Sequence, residues 1–254
     1  MPEYVEAAGA RLEYAWFGGA ACEEAVVLLH EGLGSVALWR DFPQRLADNV
    51  GRPVLAYSRR GYGGSDPLRG PRGIEFMHDE ARDVLPQVLR HFGIVRPLLV
   101  GHSDGASIAL IHAGSYPDVA AAVVALAPHV FVEPITIASI ASISRRFAES
   151  DLPARMSRYH ADPVQTFRGW ADVWLDPQFA HWNIEAIVAA SRCPILAVQG
   201  RDDEYGTMRQ VERIAELRSG TRIVELADCG HSPHQDQPQR VLEAIGKFVA
   251  DVLH

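Results

Sequence analysis

The stretch Gly101-His102-Ser103-Asp104-Gly105 places a serine between two glycines, directly after the apolar run at residues 97–100. The run is typical of a buried strand, and residues 106–112 are typical of the start of a packed helix. A strand that turns this sharply into a helix strains its central residue and brings neighbouring backbones close, so only small residues fit on either side. Such a turn makes the hydroxyl of Ser103 protrude, where it can act as a nucleophile.

Strand and helix signals alternate along the two ends of the chain. Apolar runs typical of strands covered on both faces lie at residues 25–29, 53–57, 97–100, 120–126 and 194–198. Helical patterns lie at residues 39–50, 75–92, 207–218 and 237–252, and Pro86 is expected to kink or divide the second. This alternation predicts an α/β fold with a mainly parallel sheet flanked by helices, and ligands bind such sheets at the carboxyl ends of their strands.

The alternation breaks between about residues 133 and 192. This segment has helix signals interrupted by prolines, and it holds Trp170, Trp174 and Trp182, three of the five tryptophans. No convincing buried strand is present in it. We interpret residues 133–192 as a helical insertion into a core formed by residues 1–132 and 193–254.

Composition narrows the classes of partner. The chain has 254 residues, enough for one large domain, and a net charge of -8 that disfavours a nucleic-acid partner. It has no apolar run long enough to cross a bilayer and no secretory signal pattern. Three widely spaced cysteines form no metal-binding pattern and fit reduced thiols in a cytoplasm. We expect a cytoplasmic protein that acts on a small molecule without a metal.

Two later motifs could activate Ser103, which needs a base that is itself oriented by a third group. Gly200-Arg201-Asp202-Asp203 follows the strand predicted at residues 194–198. Gly230-His231-Ser232-Pro233-His234 follows a further strand predicted at residues 222–226. The order serine, acid, histidine is that of a hydrolase with a nucleophile on a strand-to-helix turn. We predict His231 as the base because Gly230 permits a tight turn. Spacing alone leaves the choice between the two aspartates open.

Three further residues each have two interpretations. His234 is predicted at the rim of the pocket or in a structural role. Cys229, two residues before His231, could be a nucleophile, but a small apolar residue near a strand end is the favoured interpretation. Glu31 could bind water or a polar substrate group, or pair with Arg59 or Arg60, and we favour the pairing.

An oxyanion formed during attack by Ser103 needs preplaced N–H donors. One is expected from the backbone of Asp104, the residue after the nucleophile. The other is expected from the loop His30-Glu31-Gly32-Leu33-Gly34, from Gly32. Glycine at that position lets the backbone approach a ligand.

These motifs, together with the Arg59-Arg60-Gly61-Tyr62-Gly63-Gly64-Ser65 loop, resemble the α/β-hydrolase superfamily along nearly the whole chain. The resemblance implies an α/β-hydrolase fold in which the helical insertion is a cap over the site. It implies Ser103, Asp203 and His231 as the catalytic triad, with Gly32 and Asp104 as the oxyanion donors. Asp203 is the acid because the third position after the loop glycine is usual in the family. No cofactor is implied.

The resemblance specifies the fold closely, but it leaves several reactions and substrate classes open. Haloalkane dehalogenases and most epoxide hydrolases of this fold have an aspartate at the position of Ser103. Hydrolases that cleave C–C bonds in meta-cleavage products commonly have asparagine and tryptophan where this chain has His102 and Ser232. Enol-lactonases share the core. We therefore predict a serine hydrolase of a small carboxylic ester, lactone or thioester, with a C–C hydrolase of a vinylogous diketo acid and a non-catalytic receptor as the alternatives.

The cap is expected to determine which substrate binds. The six aromatic residues of the insertion could line an apolar acyl or aryl pocket, with Trp170 and Trp174 predicted to contact substrate, and His129 could contact substrate at the entrance to the cap. The alternative for the cap aromatics is that they hold its helices to the core; they are Trp170, Trp174, Trp182, Phe147, Phe167 and Phe179. Cap arginines could bind a carboxylate, although solvated positions are favoured for most; they are Arg145, Arg146, Arg155, Arg158 and Arg168.

Overall fold

A single eight-stranded sheet runs through the computed structural model, which describes residues 2–253. The strands are β1 (Glu3–Ala7), β2 (Ala10–Phe17), β3 (Val26–Leu29), β4 (Val54–Tyr57), β5 (Leu98–His102), β6 (Ala122–Leu126), β7 (Ile195–Gly200) and β8 (Arg222–Leu226). Their order across the sheet is β1-β2-β4-β3-β5-β6-β7-β8. The first two strands pair antiparallel, and β2 pairs antiparallel with β4. All pairs from β4 to β8 are parallel, which confirms the predicted mainly parallel sheet.

Alternate side chains of the central strands enter two separate hydrophobic cores. In β3, Val27 and Leu29 belong to the core on one face, whereas Val26 and Leu28 belong to the core on the other. All four are buried because both faces of the sheet are covered. This burial on both sides explains why the sequence of the strand is a continuous apolar run rather than an alternation.

Eleven α-helices surround the sheet in the described part of the chain. They are α1 (Phe42–Val50), α2 (Phe76–Asp79), α3 (Leu85–His91), α4 (Asp104–Ser115), α5 (Pro134–Arg146), α6 (Leu152–Met156), α7 (Pro163–Trp174), α8 (Glu185–Ala190), α9 (Arg209–Leu217), α10 (Pro233–Asp236) and α11 (Pro238–Val252). Short 3-10 turns occupy Val36–Trp39, Phe147–Glu149 and Phe179–His181. Helix α4 follows the sharp turn at Ser103, and ten of its residues besides Asp104 are buried.

The predicted division near Pro86 is present as a change of helix type. A π-helical turn, Glu80–Val84, joins α2 to α3, and Pro86 lies in the first turn of α3. Proline lacks an N–H and its ring crowds the carbonyl four residues earlier, which here belongs to Arg82 inside the π-turn. The wider turn therefore accommodates the proline without ending the helical run.

The segment between β6 and β7 is helical, as predicted. It contains α5 to α8, and its one recorded β-type pairing is an isolated bridge between Phe131 and Asn183. Helix α8 packs against α4, where the backbones approach so closely that a Cβ on Gly114 would lie 2.0 Å from the carbonyl oxygen of Ile187. The domain boundaries at residues 133 and 192 stay a prediction.

Residues 2–253 contain neither a candidate membrane span nor a cluster of metal ligands. No helix in that range is both long and apolar enough to cross a membrane. The same residues contain no group of three or more His, Cys, Asp or Glu side chains arranged to hold a metal ion.

The turn between β5 and α4 sits against the end of β3. A Cβ on Gly105 would lie 1.9 Å from the carbonyl oxygen of Leu29, and one on Gly101 would lie 2.2 Å from the carbonyl oxygen of Gly105. Real Cβ atoms do not approach backbone this closely, so both positions require glycine. The small residues predicted on either side of Ser103 are therefore explained by backbone contact.

We expect Gly105→Ala to lower the free energy of unfolding by about 2 kcal/mol or more, because the added methyl group must displace backbone atoms. Gly73→Ala is the matched control, since a Cβ there meets nothing within 4 Å. That control should leave stability unchanged or raise it by about 0.4–1 kcal/mol through a stiffer unfolded chain. Urea unfolding measures both, and equal stability of the two variants would contradict the close approach.

Candidate active site

Ser103 occupies the strained position that the sequence predicts. It follows β5 directly and has φ 53° and ψ −119°, a conformation that residues other than glycine rarely adopt. The strain turns the backbone from strand into α4 within one residue. As a result the side chain of Ser103 reaches a cavity at the carboxyl ends of the strands.

A continuous chain of hydrogen bonds joins the three residues expected to form the triad. The Oγ of Ser103 lies 2.9 Å from Nε2 of His231. On the other side of the ring, Nδ1 lies 2.9 Å from each carboxylate oxygen of Asp203. The carboxylate accepts from Nδ1–H, so Nε2 is left as the acceptor that faces the serine hydroxyl.

The carboxylate of Asp203 is held by its own loop and by β7. Its oxygens accept from the backbone N–H groups of Tyr205 (2.7 Å) and Gly206 (3.1 Å) and from the amide of Gln199 (2.6 Å). Burial alone raises the pKa of Asp203, but the bonds from His231 and the backbone outweigh it and lower the pKa overall. Asp202 is exposed, so the structure brings Asp203 and not its neighbour to the histidine.

The two expected oxyanion donors lie on the same cavity wall as Ser103. Gly32 and Asp104 both line the cavity. Asp104 is the first residue of α4, where a backbone N–H has no acceptor within the helix. A Cβ on Gly32 would lie 2.1 Å from Nε1 of Trp170, so the indole of Trp170 packs directly on this glycine. Glycine is therefore needed there for cap packing as well as for access to a ligand.

Arg59, a buried arginine, contacts both segments that carry these donors. The sequence did not predict this role. Arg59 and the side chain of Asp104 are each 1% exposed, and their Nη2 and Oδ2 atoms are 3.7 Å apart. The same Nη2 donates to the backbone carbonyls of Glu31 (2.9 Å) and His30 (3.2 Å). Trp174 donates from Nε1 to the other oxygen of Asp104 at 3.1 Å. The position of Arg59, two residues after the buried strand β4, was the available signal.

The favoured pairing of Glu31 with Arg59 or Arg60 is wrong. The carboxylate of Glu31 instead faces Nδ1 of His102 at 3.4 Å. Arg59 reaches only the backbone carbonyl of Glu31 because its guanidinium is turned inward toward Asp104. Arg60 donates to the carbonyl of Gly9.

His102 connects this carboxylate to the catalytic candidate. Its Nε2 lies 2.7 Å from the backbone carbonyl oxygen of His231, so its two ring nitrogens face two acceptors. Burial alone lowers the pKa of His102, but the bonds to Glu31 and His231 outweigh it and raise the pKa. A ring protonated at both nitrogens would satisfy both acceptors, and the contact with the carbonyl of His231 braces the loop that carries it.

The cavity has a volume of about 100 Å³ and is lined by residues of the core and of the insertion. Of the residues predicted to contact substrate, Glu31, His129, Trp170 and Trp174 line it. Its other lining residues are Gly32, Leu33, Ser103, Asp104, Thr136, Ile140, Tyr205 and His231. Ligand pockets for drug-sized molecules are roughly 300–1,000 Å³, so this cavity suits a small group.

His234 does not line the cavity, which corrects its prediction as a substrate contact. It is buried behind the site and packs against Trp39 and His102, with ring centroids 4.8 and 4.7 Å apart respectively. The residue is the second of the short helix α10, and its buried side chain packs against His102.

The other aromatic residues expected in the cap, which lie between β6 and β7, pack on one another and do not line the cavity. Phe147 stacks on Phe167 with centroids 3.8 Å apart, and Phe179 packs edge-on to Trp174 at 4.8 Å. Trp182 stacks on Phe179 at 5.4 Å. The five cap arginines are exposed and lie outside the cavity wall.

Cys229 is placed as a small buried residue. It is 1% exposed, and burial together with nearby carboxylates raises the pKa of its thiol to about 11. A thiol with this pKa is a poor nucleophile near neutral pH. The position fits the favoured interpretation.

Two buried histidines near the site are predicted to make the fold sensitive to acid. Burial lowers the pKa of both His129 and His234 to about 3, against an ordinary value of 6.5. Between these values the unfolded chain binds protons that the folded chain does not, so stability is lost as the pH falls from about 6.5 toward 3. Each group contributes a slope of up to about 1.4 kcal/mol per pH unit. Urea unfolding at a series of pH values measures this slope.

We expect His129→Gln to reduce the slope and His181→Gln, at an exposed position, to leave it unchanged. An unfolding free energy that stays constant between pH 6.5 and 4 in the parent protein would contradict the neutral buried state of these rings.

Known proteins resemble this chain along almost all of its length. The sn-1-specific diacylglycerol lipase ABHD11 of Mus musculus is 25% identical over 271 residues, covering 94% of this chain and 85% of that protein. The 2-(acetamidomethylene)succinate hydrolase of Mesorhizobium japonicum is 25% identical over 249 residues, covering 88% of this chain and 87% of that protein. These similarities extend through the core and the insertion.

Solved structures share the fold. A carboxylesterase of the thaumarchaeon Nitrososphaera gargenis superposes with a TM-score of 0.79 at 18% identity, covering 99% of both chains. The enol-lactonase of Burkholderia xenovorans LB400 superposes with a TM-score of 0.72 at 19% identity, again covering 99% of both chains. A model of the alpha/beta hydrolase family matches residues 26–244. Since that match spans most of the chain and the sheet has the predicted architecture, the chain belongs to the alpha/beta hydrolase family.

Proposed function

We propose that this protein is a serine hydrolase that cleaves a small carboxylic ester, lactone or thioester through an acyl-enzyme. The observation that carries the proposal is the unbroken hydrogen-bonded chain from Ser103 through His231 to Asp203. Each link has the atom type and the distance that proton transfer needs. Membership of a hydrolase family and the ester- and lactone-cleaving neighbours support the same chemistry.

The first half-reaction begins at Ser103. His231 accepts the hydroxyl proton at Nε2 while the oxygen attacks the substrate carbonyl carbon, and Asp203 stabilises the imidazolium that results. The negative charge moves to the carbonyl oxygen, which the backbone N–H groups of Gly32 and Asp104 would bind. His231 then gives its proton to the departing alcohol or thiol as the tetrahedral intermediate collapses. Ser103 is left acylated.

The second half-reaction repeats these roles with water. His231 removes a proton from a water molecule that attacks the acyl carbonyl, and the same two N–H groups would bind the oxyanion. Collapse of this intermediate returns the proton to the oxygen of Ser103 and releases a carboxylic acid. No step needs a metal or an organic cofactor.

The insertion would act as the cap of this site. Trp170 and Trp174 from α7 and Thr136 and Ile140 from α5 close the cavity opposite Ser103. The small volume and the largely apolar wall favour a short acyl chain. Exclusion of bulk water by this wall strengthens the interactions that bind the oxyanion.

A receptor that has kept the fold is the alternative from another class. A receptor requires a shaped cavity, but it has no need of a base aligned at 2.9 Å from a strained serine. Strain of this kind persists only where the surrounding structure holds it, and it concentrates at catalytic positions. The geometry therefore favours the enzyme.

We expect Ser103→Ala to keep the fold and to abolish covalent labelling by a fluorophosphonate probe, because the attacking oxygen is gone. Mass spectrometry of the labelled peptide identifies the modified residue, and thermal unfolding checks the fold. Thr136→Ala, on the cavity wall, is the control that should still be labelled. Persistent labelling of Ser103→Ala would assign the nucleophile elsewhere.

We expect Asp203→Asn to lower kcat by about 10⁴-fold, because an amide favours the wrong tautomer of His231. Asp202→Asn removes an equal charge one residue away, at an exposed position, and should change kcat by less than about twofold. Steady-state hydrolysis of 4-nitrophenyl butyrate measures both. The opposite ranking of the two variants would reassign the acid.

A further inference from the structure

Two acidic residues, Glu31 and Asp104, line the cavity, and the carboxylate of Asp104 is paired with the buried Arg59. Glu31 lines the cavity with its side chain 22% exposed. None of the twelve residues that line the cavity is lysine or arginine. The arginines of the insertion, which the sequence allowed as a carboxylate-binding group, are exposed on the outer surface.

The partner of Glu31 lies behind it. His102 faces the carboxylate at 3.4 Å, but its side chain is only 1% exposed. A substrate in the cavity would therefore meet the carboxylate before the imidazole. His102 occupies one of the roughly four acceptor sites of the carboxylate, so the others stay free for further donors.

The other ionisable groups on the wall add no positive charge. Burial keeps His129 neutral down to a pKa of about 3. The guanidinium of Arg59 lies outside the wall, where it pairs with Asp104 and holds two backbone carbonyls. The proposed mechanism uses Nε2 of His231 as a proton acceptor. Glu31 is thus a partly exposed carboxylate on the wall, and its only close counter-ion candidate among residues 2–253, His102, is buried behind it.

We propose that the site takes esters whose acyl part is uncharged, and that Glu31 excludes acyl groups carrying a carboxylate. This inference rests on the proposed function and names its substrate class. Two like charges in a small cavity with low-dielectric walls repel strongly, and no basic group is present to offset the desolvation of a second carboxylate. Rejection by an unfavourable charge is a common way to obtain specificity. A vinylogous diketo acid carries such a carboxylate, so this wall also disfavours the C–C hydrolase alternative.

The experiment compares two esters of the same shape. Methyl succinamate has an uncharged terminal amide where monomethyl succinate has a carboxylate. Acid release in a pH-stat gives kcat/KM for each ester with the parent protein, Glu31→Gln and Glu204→Gln. The last variant removes an equal charge at an exposed position off the cavity wall. The ratio of the two values within one preparation does not depend on the fraction of active enzyme.

We expect the parent protein to prefer methyl succinamate by a factor of at least about 100. Glu31→Gln should reduce this preference tenfold or more, and Glu204→Gln should leave it within about twofold of the parent value. Equal use of the two esters by the parent would overturn the proposal, and so would a preference that Glu31→Gln leaves unchanged.

Failure of this inference is distinguishable from failure of the proposed function. If the parent cleaves 4-nitrophenyl butyrate but neither methyl ester, the substrate class is wrong and the serine hydrolase stands. If it cleaves no ester and Ser103 is not labelled by a fluorophosphonate, both fail.

Discussion

The close packing of one turn against one strand end is the constraint on which the rest of the site depends. Gly105 touches the carbonyl of Leu29, which fixes the start of α4 beside the loop that follows β3. Ser103 and the backbone of Asp104 come from the turn, and Gly32 comes from the loop. A shift of either backbone would separate the serine from the groups expected to bind the oxyanion, which must be placed to within a fraction of an ångström. This arrangement requires glycine at two positions and a strained backbone at Ser103.

Buried polar contacts then hold these loops in fixed positions relative to one another. Arg59 joins the backbone of the loop at residues 30–34 to the side chain of Asp104. His102 joins Glu31 to the backbone of His231. A buried ion pair adds little net stability, because desolvation of both charges offsets their attraction, but breaking it leaves a charge without a partner. We interpret these contacts as positioning elements that make one arrangement of the loops far more stable than its alternatives.

The parallel sheet explains why residues far apart in the chain meet. Ser103, His129, Asp203 and His231 follow β5, β6, β7 and β8, which are neighbours in that order. Parallel strands place their carboxyl ends at one edge, so each successive loop contributes one group to a common crevice. The insertion after β6 covers this crevice and adds the tryptophans of its wall. The charge of the wall depends on which loop side chains remain accessible, and Glu31 is the acidic residue of the wall with a partly exposed side chain.

Local sequence was sufficient for the elements and for the order of the motifs. Apolar runs buried on both faces, small residues around Ser103 and a glycine before His231 all reflect short-range demands on the backbone, and the sheet and the family follow from them. The partners of individual side chains did not follow from the local sequence. Spacing did not separate Asp202 from Asp203, placed Glu31 with an arginine instead of His102, and left His234 between the rim of the pocket and a structural role.

Those choices depend on which way a side chain points after a tight turn and on what it meets across distances of 28 to 129 residues along the chain. Burial decides them, because a charged group that leaves water must find its partners in the packed interior. The sequence by itself determined the fold and the candidate nucleophile, whereas only the tertiary structure decided which charges face one another and which residues line the cavity.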